Sequence, residues 1–239
     1  MDFKEISPKR KMLENILHMI NTTTNVDEPL PSERKLCEDF GVSRTTVRAA
    51  IQELIARNEL ISKPGRGTFI NTSILKVNLE ALDSTTEKIR GAGKVVRSKI
   101  LKSNVIEANK DLALTFSVSL GDKLFELKRI RFMDDEPFSL DTTYLNVNKF
   151  PGIEAIDFTD DSLFRVLKDV YRVNLNHGEE TFEISYANYE ESLHLRIEEG
   201  KPVIVLEGQV FDKEDKLVEI SKQIIRADKI KYHYSVINE

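Results

Sequence analysis

The chain has 239 residues, 40% of them hydrophobic, with a formal net charge of -5, one cysteine and no tryptophan. That length and apolar share allow two ordinary domains with real cores. A lone Cys37 excludes an internal disulfide, no cysteine-histidine cluster offers a zinc site, no apolar run can span a bilayer, and the opening MDFKEISPKRK lacks the apolar core of a signal peptide. The expectation is a cytoplasmic protein with no metal, no cofactor and no membrane partner.

Ser7-Pro8 opens a first helix, since proline is tolerated where the first turn needs no N–H, and Leu13, Ile16, Leu17 and Ile20 follow the spacing of one packed face. A polar loop through Asn21–Asn25, Pro29 and Pro31 follows. The second helix starts near Ser32, uses Leu36, Cys37 and Phe40, and stops at Gly41, which accepts the left-handed backbone of a helix end. Two residues later Ser43 can cap a third helix beginning at Arg44, with Val47, Ala50, Ile51 and Leu54 as its buried stripe. At about 100° per residue, Thr45, Arg48 and Gln52 fall opposite that stripe, and Arg44 sits in the first turn, where free N–H groups attract phosphate. Leu60–Lys63 and Thr68–Ile70 then read as two strands joined by Pro64-Gly65-Arg66-Gly67.

Two short helices around a tight turn, with arginines on the outer face of the second and a basic glycine hairpin behind, suit the major groove of DNA. The planar fork of Arg44 or Arg48 matches two acceptors on a guanine edge, and the hydroxyls of Ser43, Thr45 and Thr46 can reach backbone oxygens. The charge is distributed accordingly. Residues 1–70 hold 11 basic against 10 acidic side chains and the remainder 24 against 30, while residues 43–66 alone hold five basic against two acidic. A modest local charge implies modest non-specific affinity, so two half-sites are expected.

The run from Leu30 to Phe69, with PSER at Pro31–Arg34, FGVSRTTVR at Phe40–Arg48 and GRGTF at Gly65–Phe69, resembles the winged helix-turn-helix of the GntR family of bacterial transcription regulators. The resemblance implies that Arg34, Ser43, Arg44, Thr46, Arg48, Gly65 and Gly67 contact operator DNA, to which the reading of the residues adds Thr45 and Arg66. Asn58-Glu59 departs from the family, where glycine is common.

Beyond residue 95 the pattern changes to strands punctuated by Gly121-Asp122, Asp134–Pro137, Pro151-Gly152, Gly200–Pro202 and Asp212–Asp215, with helices expected over 80–90, 109–116, 162–171 and 189–195. The third of these is capped by Ser162, with Leu163, Val166, Leu167 and Val170 as its inner face. In the strand KLFELKRIRFM, Lys123–Met133, alternation puts Phe125, Leu127, Arg129 and Arg131 on one face; Ser139, Asp141 and Thr143 share a face of the next strand. Half-buried guanidinium groups need anionic partners. A bound phosphate or carboxylate satisfies them; so would a pairing of an arginine with Asp141, and both stay open.

Leu127–Phe132, Ser139–Tyr144 and Glu219–Asp228, in that order, resemble the effector-binding UTRA domain of the HutC-like branch of the same family, itself similar in fold to chorismate lyase. The fold expected is α+β in two domains, a winged helix-turn-helix over residues 1–72 and an antiparallel-sheet α/β domain of chorismate-lyase-like type over 95–239, with 73–94 as linker and connecting helix. The resemblance implies that Arg129, Arg131 and Ser162 hold an effector's anionic group, with Asp141, His177 and Glu219 nearby. Sugar-phosphate-responsive members tend to carry Glu at the Asp141 position and Arg near His177, so this chain departs from them there. The resulting expectation is a homodimeric repressor on double-stranded, pseudo-palindromic operator DNA, released by a small anionic effector such as a phosphorylated sugar. A non-phosphorylated sugar, a small carboxylate, or a lyase-like enzyme in the second domain are the alternatives. No nucleophile-base pair, metal-ligand spacing or phosphate-cradling loop over 79–239 supports the enzyme.

Overall fold

The structure, a computed structural model, describes residues 7–23, 25, 28–79 and 82–234. The chain divides into two compact units, Met1–Ile74 and Leu75–Glu239. No helix among the described residues is long and apolar enough to cross a membrane.

The first unit holds α1 (Pro8–Thr22), α2 (Glu33–Phe40), α3 (Arg44–Ala56) and the hairpin of β1 (Leu60–Lys63) and β2 (Gly67–Ile70). Each helix begins on a serine, Ser7, Ser32 or Ser43, whose hydroxyl accepts the N–H of Arg10, Lys35 or Thr46. Such a cap contributes about 1 kcal/mol. Gly41 ends α2 at φ 63°, donating its N–H to the Cys37 carbonyl. The expected stripe of α3 is buried in full against Met12, Leu13, Ile16 and Ile20 of α1, with Leu36 and Leu60. Leu17 is only partly buried, and Met12 takes the inner position instead.

In the hairpin Lys63 pairs with Gly67, so the turn is the three residues Pro64-Gly65-Arg66 and the second strand starts one residue before Thr68. Pro29 bridges to Phe69, and the Leu30 N–H donates to the Thr68 carbonyl at 2.7 Å.

The second unit runs β3 (Leu75–Asn78), α4 (Thr85–Gly91), β4 (Val96–Glu107), α5 (Lys110–Phe116), β5 (Lys123–Met133), β6 (Glu136–Asn146), α6 (Leu163–Asp169), β7 (Leu175–Tyr186), α7 (Tyr189–Leu195), β8 (Pro202–Asp212), β9 (Leu217–Arg226) and β10 (Ile230–His233). Residues 73–94, expected as linker and connecting helix, thus supply β3 and α4. The helix expected over 80–90 starts later, at Thr85, because Ser84 and Glu87 form a reciprocal capping box. Glu80 and Ala81 lie outside the described residues. Val170, expected on the inner face of α6, is its C-cap and 60% exposed.

Six strands form one antiparallel sheet in the order β4-β5-β6-β9-β8-β7, and β3 pairs in parallel with β10 outside it. Alternation works as expected along β5. Phe125 and Leu127 join Leu145, Phe150, Phe158 and the inner side of α6 in one apolar cluster, while Ile130 on the opposite face packs with Leu140, Ile224 and Leu195 of α7. A third cluster sets Leu75, Val77 and Ile230 of the β3–β10 pair against Leu206, Ile225 and Phe138. Burying each such side chain contributes about 1.5–3 kcal/mol. The first and third clusters include sheet residues of the face that carries Arg129 and Arg131, and the polar side chains of that face belong to neither.

Candidate functional site

On the first unit the outer side of α3 carries Ser43, Arg44, Thr45 and Arg48, all exposed, with Thr46 half-buried. The Ser43 hydroxyl lies 2.8 Å from that of Thr45 and 2.9 Å from that of Thr46, so the three form one local cluster at the helix start. Arg48 is held from α2. Its Nε and Nη2 donate to the two oxygens of Glu33 at 3.2 and 2.9 Å, a bidentate bond that holds the Glu33 carboxyl below the usual range. Arg34, the next residue on α2, points to Glu38 at 3.7 Å and is otherwise exposed. Gly65 and Arg66 in the hairpin turn and Gly67 at the start of β2 are exposed, and the Lys63 Nζ lies 4.6 Å from the centre of the Phe69 ring. Both glycines have a backbone conformation that favours glycine. Gly65 has φ 70°, and Gly67 has φ 112° with Pro29 so close that an added Cβ would stand 3.3 Å from the proline Cβ.

On the second unit a cavity of about 530 Å³ opens over the sheet, within the size range of small-ligand sites. Arg129, Arg131, Asp141, His177 and Glu219 all line it. Ser162 does not. Its hydroxyl caps α6 and lies 3.2 Å from that of Ser84, while its neighbours Leu163 and Phe164 face the cavity.

Register explains the convergence. Arg129 stands opposite Asp141, Asp141 opposite Gln223 and Gln223 opposite Leu206, and one step along the sheet Thr143, Ser221, Gly208 and Glu180 follow. The pairing left open by the sequence does form, though with one arginine only. Arg131 donates from Nε to Asp141 at 3.1 Å and from Nη1 to Ser98 at 2.8 Å, and Ser139 donates to the other Asp141 oxygen at 2.5 Å.

Arg129 has no such partner. It is 3% exposed, its Nε and Nη1 find no acceptor among the described residues, and the nearest ring, Phe158, stands 5.9 Å from its Cζ. Burial pushes its guanidinium down to about 9, helped by Arg131 and opposed by Asp141 and Glu219, so it stays charged at neutral pH. Glu219 is the complementary case. Thr143 donates to Oε1 at 3.4 Å, Oε2 is buried without a partner among the described residues, and burial raises the carboxyl to about 7 against the pull of Arg129. His177 stacks on Phe211 at 4.9 Å, with Nε2 3.5 Å from Asp215.

Sequence reasoning missed the wall made by the segment after the wing. Leu75, Val77, Leu82, Ser84, Thr85 and Lys88 line the cavity, as does Tyr232 of β10. The capping box Ser84-Thr-Thr-Glu87 was a readable signal for the start of α4; the parallel pairing of β3 with β10 had none. Among the described residues no group of His, Cys, Asp and Glu is arranged to hold a metal ion.

Residues 9–70 match the bacterial regulatory proteins of the gntR family, and residues 91–231 match the UTRA domain. The chain belongs to the GntR family of regulators and carries a UTRA domain. An uncharacterized HTH-type transcriptional regulator of Bacillus subtilis (strain 168), YurK, is 30% identical over 203 residues, covering 85% of this chain and 84% of that protein. A protein named probable fructoselysine utilization operon transcriptional repressor, of Escherichia coli O157:H7, is 26% identical over 203 residues, covering 85% of this chain and 83% of its own. Among solved structures, PhnF from Mycobacterium smegmatis has the same fold, with a TM-score of 0.72 at 21% identity over 95% of this chain and 100% of that one. The enzyme alternative falls with these matches, because the family consists of DNA-binding transcription regulators.

Proposed function

We propose that this GntR-family regulator is a cytoplasmic repressor, released from its operator when a small anionic effector, most simply a phosphorylated sugar, occupies the cavity over the β5–β9 strands. The observation that carries the reading is Arg129, a buried cation with two donors unmet among the described residues. A buried donor without a partner costs about 1–3 kcal/mol, more when charged, and a phosphate or carboxylate offers the missing acceptors. The cavity's hydroxyl and amide groups, Thr85, Thr143, Ser221 and Gln223, suit a polyol. The name of the fructoselysine relative points in the same direction.

On the DNA side, Arg34, Arg44, Arg48 and Arg66 with the hydroxyls of Ser43, Thr45 and Thr46 form the reading surface. One such surface covers a half-site, so the operating species is a homodimer on a pseudo-palindromic operator. The test is a thermal-shift screen of phosphorylated sugars, free sugars and small carboxylates. A phosphorylated sugar should raise the melting temperature in a dose-dependent way; a response to free sugars alone would reassign the effector, and no response from any class would refute an effector cavity of this kind.

A further inference from the structure

We propose that capture of the anionic effector draws a proton onto Glu219, so that the cavity takes up both together. The inference rests on the effector reading above. Among the described residues, the cavity groups with buried polar atoms that find no partner are a guanidinium and a carboxylate. Arg131 is bound to Asp141 at 3.1 Å, whereas Arg129 keeps two buried donors and Glu219 one buried oxygen without a partner. Arg129 and Glu219 face the same cavity and balance each other electrostatically at a distance. An anion seated on Arg129 takes over that guanidinium and leaves Glu219 as an uncompensated buried charge beside a second negative group. Such a state is costly in a low-dielectric site, and a carboxyl escapes it by protonating.

The other ionisable groups that line the cavity are Arg131, Asp141, Asp83, Lys88, His177, Glu180 and Tyr232. Arg131 is engaged by Asp141 on β6, and Asp215 stands 3.5 Å from the Nε2 of His177. Tyr232 of β10 is held protonated by burial and by Glu180. Glu219 is the group poised to respond, since burial already holds its carboxyl near neutrality, at about 7. Once protonated, its O–H becomes a donor in place of an acceptor, available to an effector oxygen.

The full-length protein is titrated calorimetrically with inorganic phosphate, glucose 6-phosphate and fructose 6-phosphate in two buffers of different ionisation enthalpy. Affinity for the two sugar phosphates is followed from about pH 7 to about pH 8.5, above the ester phosphate's own second ionisation near pH 6, and inorganic phosphate reports on binding alone. The expected result is a binding heat that differs between the buffers in the sense of proton uptake, and an affinity that falls by up to about tenfold per pH unit. Glu219→Gln should bind with equal heats and a flat pH profile. Binding by the natural protein with equal heats and no pH dependence overturns the inference and leaves the effector reading standing. Proton uptake that persists in Glu219→Gln assigns the proton to another group and also overturns it. If none of the three probes binds, the phosphate reading fails and the inference fails with it.

Discussion

Glu33 and Arg48 join α2 to α3 through two parallel hydrogen bonds of 3.2 and 2.9 Å, so Arg48 of α3 is oriented by a carboxylate on the helix before it. An exposed pair of this kind adds little to stability, about 0–1 kcal/mol, but a planar fork held in one orientation loses less freedom on meeting a base or phosphate. Glu33→Gln should therefore leave the melting temperature almost unchanged. It should raise affinity for random DNA, by removing a negative charge, and lower the ratio of operator to random binding. Fluorescence anisotropy with both DNAs measures this, and an unchanged ratio would mean that Glu33 does not position Arg48.

Gly67 separates a structural from a DNA-contacting reason for the wing glycines. Any side chain there meets a strained φ of 112° and the Pro29 ring. Gly67→Ala should destabilise the first unit by about 1–3 kcal/mol in urea unfolding, with no DNA present. A neutral result would return the glycine to a purely DNA-contacting role.

The two cavity arginines differ in how far the protein itself satisfies them, and substitutions should separate them. Asp141→Ala strands Arg131, 4% exposed, and should cost about 3–5 kcal/mol. Arg129→Met removes a guanidinium whose donors are unmet and should change stability by less than about 1 kcal/mol while abolishing the effector response. Chemical denaturation of both variants, read on the transition of the second unit, decides it.

Glu219 gives stability a definite pH slope. Its folded value of about 7 lies above the ordinary carboxylate value of 4.5, so between those values the folded state binds more protons than the unfolded one and stability falls as pH rises. The destabilisation is absent below about pH 4.5 and fully developed above about pH 7. Glu219→Gln should accordingly stabilise the protein by up to about 3 kcal/mol at pH 8 and by much less at pH 5, without ligand. Equal gains at both pH values would show that the carboxyl is not held up by burial.

What was legible in the sequence was what depends on neighbours in the chain. Gly41, Ser43 and the stripe from Val47 to Leu54 act within one or two turns, and alternation along Phe125–Arg131 needs only the strand's own period. Helix ends were less legible. Val170 has the residue type of a core position yet falls where α6 has already stopped, and the α4 start depended on weighing a capping box against apolar spacing. Asn58, the departure from the family glycine, takes φ 58°, the conformation a glycine would take more freely. The cavity was half legible. Its floor of Arg129, Arg131, Asp141 and Glu219 comes from strands whose faces can be counted, but its wall depends on Leu75 pairing with Ile230, a partner set by packing across the whole domain.

The most direct test of the account is release of operator DNA by effector, compared between the natural protein and Arg129→Met. The complex with an operator selected from random DNA is titrated with phosphorylated sugars and followed by fluorescence anisotropy. The account predicts that at least one phosphorylated sugar dissociates the natural protein and leaves the Arg129→Met complex intact at the same concentration. Equal release of both proteins, or tightening of the natural complex, would contradict it.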